Sequence, residues 1–145
     1  MDHTIVHFEI PAKNIAKLKS FYEQLFAWKI NKYPGSEMGN GMEYWLIETV
    51  PVDEKMAPIR QGVNGGMYPK QNPDDKPLNH FSVESVDEYV TKAKKLGGKI
   101  ITPKTEVPNI GWWATIEDPE GNVFNILQPM MPQALEPAKT KSKKK

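Results

Sequence analysis

The sequence predicts an α+β fold made of two βαβββ modules, about residues 4–70 and 78–129, forming a mixed, curved sheet. Three observations carry that prediction. "HFEI" at 7–10 and "HFSV" at 80–83 open two alternating segments 73 residues apart. Each of these segments is followed by one stretch with apolar residues at helical spacing. The late stretch "GWWATIEDPEGNVFNILQ" (111–128) reads as two strands around an aspartate-proline-glycine turn.

Taken in order, "TIVHFEI" (4–10) alternates, with Val6, Phe8 and Ile10 on one side and Ile5, His7 and Glu9 on the other. A helix follows, its inward face formed by Ile15, Leu18, Tyr22, Leu25 and Phe26, with Pro11 and Asn14 as start signals and an end near Ala27. "WKINKY" is a strand, and "YPGSEMGNGM" (33–42) is a polar, glycine-rich turn. "EYWLIETV" (43–50) is a strand rich in aromatic and branched residues, and "PVDEKMAPIRQ" is a loop. The glycines of "GVNGGMYPK" (62–70), a short strand, allow something to approach the backbone closely. "QNPDDKP" (71–77) has nothing to bury and links the modules.

In the second module "LNHFSVES" (78–85) alternates again, with Phe81 and Val83 opposite His80 and Ser82. Ser85 and Glu88 form a capping box. Val86, Tyr89, Val90, Ala93 and Leu96 make the helix's apolar face, and Gly97-Gly98 stop it. "KIIT" (99–102) is a strand ahead of the final hairpin. We expect one domain over residues 1–130 and a disordered, proline- and lysine-rich tail over 131–145.

The chain has 145 residues, 39% hydrophobic and 26% charged, ordinary values for a soluble globular protein. No apolar run approaches the roughly 18 residues of a membrane span, and the first residues lack a signal-peptide pattern. Without cysteine there is no disulfide, thiolate catalysis or thiolate metal site, and a cytoplasmic location is expected. The net charge of +1 hides an asymmetry. "KTKSKKK" (139–145) contributes five lysines, leaving 14 basic against 18 acidic residues elsewhere, a charge of about −4. No aromatic residue interleaves those lysines, so the tail reads as a solvated end and not as a nucleic-acid site.

Parity locates the residues that carry chemistry. If Phe8 and Phe81 face the helices, His7 and His80 lie on the opposite faces of their sheets. Two sheets covered by helix on one side leave two other faces, which when paired enclose a concave pocket for a ligand. In the final hairpin Ile116, Phe124 and Ile126 face the helices and Trp112 is core. Trp113, Thr115, Val123, Asn125 and Leu127 then face the pocket. An indole, aliphatics, an amide and two imidazoles suit a planar or amphipathic organic ligand.

"IVHFEIPAKNIAKLKSFYEQLFAWKI", "NHFSVESVDEYVTKAKKLGGKI" and "IEDPEGNVFNILQ" resemble the vicinal oxygen chelate superfamily, which includes glyoxalase I, extradiol dioxygenases and fosfomycin- and bleomycin-resistance proteins. The resemblance covers residues 4–129. "VHFEIPA", "NGGMYPK" and "DPEGNVF" look most like its glyoxalase-related proteins of unassigned activity. The resemblance implies a divalent-metal site with one ligand from each of four strands. His7 and His80 match two of these positions. The third, usually a glutamate, falls on Asn125, and the fourth within "GVNGGMYPK", which holds no Asp, Glu, His or Cys.

An amide is no general base and carries no charge to offset a cation. Asn125 therefore argues against glyoxalase I isomerisation and against the two-histidine, one-carboxylate oxygenase site. Glu9, on the side of His7, is a candidate acid, base or displaced ligand. Glu43 and Glu48 flank "YWLI" without a placement from parity.

Three functions follow as expectations. The first is a protein that binds a small organic molecule through Trp113, Thr115, Asn125 and Leu127, with no cofactor or a weakly held metal. The second is a metal-dependent lyase, isomerase or oxygenase with Zn, Ni, Mn or Fe on His7 and His80. The third is a non-catalytic interaction protein using the lysine tail. A homodimer is expected; membrane binding and specific nucleic-acid binding are not.

Overall fold

The structure, a computed structural model, describes residues 1–34 and 43–130. The expected tail and most of the glycine-rich turn lie outside the described residues. The chain divides into two compact units, one spanning Ile5–Asn79 and the other combining Met1–Thr4 with the chain from His80 onward.

The first unit contains β1 (Ile5–Ala12), α1 (Ile15–Phe26), β2 (Lys29–Lys32), β3 (Trp45–Glu48) and β4 (Gly65–Pro69). Its strand order is β2-β3-β4-β1, with β1 and β4 parallel and the other pairs antiparallel. Phe8 and Ile10 meet Ile15, Leu18 and Tyr22 of α1, together with Trp28 and Trp45, on a buried core of Ala12, Ile30, Ile47 and Met67. Asn14 caps α1 by accepting a hydrogen bond from the Lys17 amide at 3.0 Å. Pro11, expected as a helix start, is part of β1 and pairs with Tyr68.

The inward face of α1 is shorter than its sequence spacing suggests. Leu25 and Phe26 are 57% and 54% exposed. The helix ends at Ala27 in the left-handed conformation (φ 60°), and Trp28 stacks on Tyr22 with centroids 5.1 Å apart. Phe26 stacks on Tyr22 as well, at 6.2 Å, and lies 5.0 Å from Trp28, so its ring joins this aromatic group while keeping much of its surface exposed.

The second unit contains β5 (Leu78–Ser82) from His80 on, α2 (Val86–Lys95), β6 (Lys99–Val107), β7 (Gly111–Glu117) and β8 (Val123–Pro129). The order is β5-β8-β7-β6, with β5 and β8 parallel and the rest antiparallel. Val83, Val86, Ala114, Ile116 and Ile126 form its core, with Tyr89, Val90, Ala93, Ile100, Trp112 and Phe124 packed around them. Leu96, expected on the apolar face of α2, is 70% exposed. The helix has already ended at Lys95, and Gly97 (φ 96°) turns the chain away.

β6 runs past the expected Thr102 to Val107, carrying Pro103 within it. The register with β7 shifts between Thr102 and Thr105, so the proline sits at an irregularity in a strand that ends its module's order. In the β7–β8 turn the Asp118 carboxylate accepts from the Glu120 and Asn122 amides at 2.8 and 2.9 Å. Those bonds, led by the one from the Asn122 side chain, hold its carboxyl below the usual range.

Ser85 caps α2, its Oγ accepting from the Glu88 amide at 3.1 Å. Ser85→Ala is expected to cost about 1 kcal/mol of stability, measurable as a lower urea midpoint with an unchanged slope. Among the described residues no helix is long and apolar enough to cross a membrane.

Candidate functional site

Each unit has a sheet face turned away from its helix, and the polar groups singled out by parity lie on those faces. In the first unit Phe8, Ile10, Trp45, Ile47 and Met67 belong to the helix-side core. His7, Glu9, Tyr44, Gly66 and Tyr68 therefore occupy the other side. Here the Tyr44 hydroxyl links two strands' worth of chemistry. It donates to Glu9 Oε2 at 2.8 Å and lies 2.7 Å from His7 Nε2. Because the phenol spends its proton on Glu9, its oxygen accepts, and Nε2 of His7 is the donor.

Burial, then the charge of Glu9 and the hydrogen bond to it, hold the Tyr44 phenol well above its ordinary range. Tyr68 is pushed up to about 12, by burial first and then by Asp75 and Glu9. Both phenols therefore stay neutral hydrogen-bonding groups at any ordinary pH.

Tyr44 can sit there only because residue 66 is glycine. A Cβ at Gly66 would lie 2.0 Å from the Tyr44 hydroxyl and 2.1 Å from its Cζ. The close approach permitted by "NGGMYPK" is thus made by this ring. Tyr44 is the residue that sequence reasoning missed. Its signal was its alternation with Trp45 and Ile47, opposite a pair of strand glycines. Of the unplaced acids, Glu43 accepts from the indole Nε1 of Trp45 at 2.9 Å.

The second unit builds a row across three strands. His80 is the register partner of Asn125, and Asn125 of Thr115. Thr115 Oγ1 donates to Asn125 Oδ1 at 2.6 Å, and Asn125 Nδ2 lies 3.2 Å from His80 Nε2. All three are buried, with Asn125 only 3% exposed. With its oxygen taken by Thr115, the amide turns its NH₂ to the ring, so Nε2 of His80 accepts. The next row brings Trp113 opposite Leu127 on the same face, both half-buried.

The remaining histidine, His3, makes contacts of its own: its Nδ1 lies 2.8 Å from the Ser82 carbonyl and its Nε2 3.0 Å from the Tyr89 hydroxyl. These bonds tie Met1–Thr4 to the second unit.

The residues present do not fit a divalent cation. A metal-bound imidazole must offer a bare nitrogen lone pair. Nε2 of His80 is engaged by Asn125, and Nε2 of His7 points its proton at Tyr44. The β4 face position is Gly66, covered by Tyr44, and the β8 position is a neutral amide. Among the described residues no three His, Cys, Asp or Glu side chains gather as a metal requires.

Comparison with known proteins fits this architecture. The family model described as "Glyoxalase/Bleomycin resistance protein/Dioxygenase superfamily" matches residues 4–126. The chain belongs to that superfamily.

Among solved structures, similar folds recur at low identity. Methylmalonyl-CoA epimerase of Streptomyces coelicolor, in complex with 2-nitronate-propionyl-CoA, superposes with a TM-score of 0.62 at 10% identity, covering 90% of this chain and 99% of that one. The Mycobacterium tuberculosis methylmalonyl-CoA epimerase gives 0.61 at 11% identity, over 90% of this chain and 91% of that one. Both likenesses are of fold alone. In sequence, the M. tuberculosis protein named "Putative glyoxylase CFP32" is 34% identical over 50 residues, 34% of this chain. That match spans only 19% of the relative's own length.

Proposed function

We propose that this superfamily member binds a small organic molecule without a resident metal. The observation that carries the reading is the engagement of Asn125 with both His80 and Thr115. The position where a metal-binding carboxylate is expected is a buried, hydrogen-bonded amide that already uses the imidazole edge. Around it, Trp113 and Leu127 supply an apolar surface beside polar groups that are fixed in place. That combination favours a planar or amphipathic ligand, oriented by few hydrogen bonds and held by apolar contact. Glu9 is, in this reading, a hydrogen-bonding group, its carboxylate already accepting the hydrogen bond of the Tyr44 hydroxyl.

The test is a thermal-shift screen of the full chain after chelator treatment and dialysis. The panel holds planar aromatic amides, acids and alcohols. It also holds a CoA thioester, because one protein of the same fold binds 2-nitronate-propionyl-CoA. The expected result is a concentration-dependent rise in Tm with at least one compound, unchanged by added Zn²⁺, Ni²⁺, Mn²⁺ or Fe²⁺. A stoichiometric metal lost on His7→Ala or His80→Ala, or stabilisation that vanishes on chelation, would overturn the reading in favour of a metal enzyme. Light scattering of the same sample checks the expected homodimer.

A further inference from the structure

In the first module one tyrosine hydroxyl engages both His7 and Glu9. We propose that Tyr44 and Gly66 are a matched pair that puts a protein hydroxyl where a metal site would need a β4 ligand. Tyr44 is then a positioning residue that holds His7 and Glu9 in a hydrogen-bonded chain. The inference rests on the metal-independent reading above and names the device behind it.

Three observations support it. Glu9 and Gly66 are register partners on adjacent parallel strands, so residue 66 is the β4 position beside the carboxylate. A side chain there is excluded while Tyr44 is in place, since even a Cβ would overlap the hydroxyl and the ring. The same hydroxyl engages Glu9 Oε2 and His7 Nε2, the two groups of this face that have the chemistry to hold a cation. One phenol, reaching in from just before β3, thus fills the space of a third ligand and occupies the other two. For a cation to take His7 by Nε2, the Nε2 proton has to leave and the phenol has to move aside.

Glycine at 66 and tyrosine at 44 each make sense only with the other. Glycine alone would leave a hole beside Glu9, and tyrosine alone would collide with any residue at 66.

The experiment titrates Zn²⁺ into chelator-treated full-length protein by calorimetry. It compares wild type, Tyr44→Phe, Tyr44→Ala and the double variant Gly66→Glu with Tyr44→Ala. Tyr44→Phe keeps the ring on Gly66, so it retains the fold while removing the hydroxyl. Wild type is expected to show no stoichiometric binding. Tyr44→Phe should gain saturable Zn²⁺ binding that wild type lacks, because the hydroxyl that engages His7 Nε2 and Glu9 is gone. The double variant should bind tighter again, and His7→Ala should abolish the gain.

A parallel melt separates fit from metal chemistry. Gly66→Ala should lower Tm in the wild-type background and much less in the Tyr44→Ala background. If Tyr44→Phe and the double variant bind zinc no better than wild type, Tyr44 is not what withholds these groups and the proposal fails. The metal-independent reading would survive that result. Stoichiometric zinc on wild type that His7→Ala abolishes would overturn both.

Discussion

Asn125→Leu is expected to destabilise the protein by about 2–4 kcal/mol, because it strips partners from two buried polar groups at once. Leucine keeps the branched heavy-atom skeleton of asparagine but offers neither acceptor nor donor. Thr115 would lose the oxygen it donates to at 2.6 Å, and His80 Nε2 would lose the amide 3.2 Å away. Both groups lie on the buried row between β5, β8 and β7, at 7% and 6% exposure, so water is poorly placed to replace the lost bonds.

Urea denaturation gives the measurement. Thr115→Val should cost less, since it orphans only one lone pair of Asn125. The double variant should cost less than the sum of the two, because the shared bond is counted once. Strict additivity would show that the three side chains do not act as one network. Asn125→Glu tests the chemistry in the other direction. If the missing charge is all that separates this face from a metal centre, the variant gains metal binding.

Gly111→Ala is expected to be equally damaging, about 3 kcal/mol or more from backbone collision and strain together. Gly111 opens β7 at φ 152°, and a Cβ there would lie 2.0 Å from the Gln128 carbonyl oxygen and 3.0 Å from the Met130 nitrogen. Those are backbone atoms of the paired strand, so no rotamer change relieves the contact. The consequence reaches the candidate site, because β7 carries Trp113 and Thr115 into register with Leu127 and Asn125. Gly121→Ala is the matched control. It too has positive φ, 89°, but a Cβ there meets nothing within 4 Å, so its cost should be the local conformational one, about 1–2 kcal/mol. Equal losses at the two positions would refute the collision argument.

How far the site could be read in advance differs between the modules. In the second, strand parity placed Ile116, Phe124 and Ile126 toward α2 and left Thr115, Asn125 and Leu127 on the other face, as the core confirms. That worked because a strand has a period of two and a tight turn sets the hairpin register. The pairing of Thr115 with Asn125 follows from that register, and the pairing of Asn125 with His80 from the parallel neighbour.

In the first module parity put His7 and Glu9 on the correct face but gave no hint of Tyr44 between them. The hydroxyl meets residues 35 and 37 positions away in the chain, and its seat is the absence of a side chain at Gly66. A glycine pair announces that something approaches, not what approaches.

The chain's local patterns carried the element order, the two-module repeat and the sheet face on which His7, Glu9, His80 and Asn125 fall. Alternation, helical spacing and turn chemistry are short-range properties, and each has a period that can be counted. Which polar groups satisfy one another was settled by packing across strands. That is where Asn125 became a bridge between His80 and Thr115, and where a tyrosine took the space beside Glu9. It is also where Leu25 and Phe26, in the last turn of α1, and Leu96, just past the end of α2, were left largely exposed. Hydrogen-bond partners depend on distances between strands far apart in sequence, and no periodicity along the chain encodes those distances.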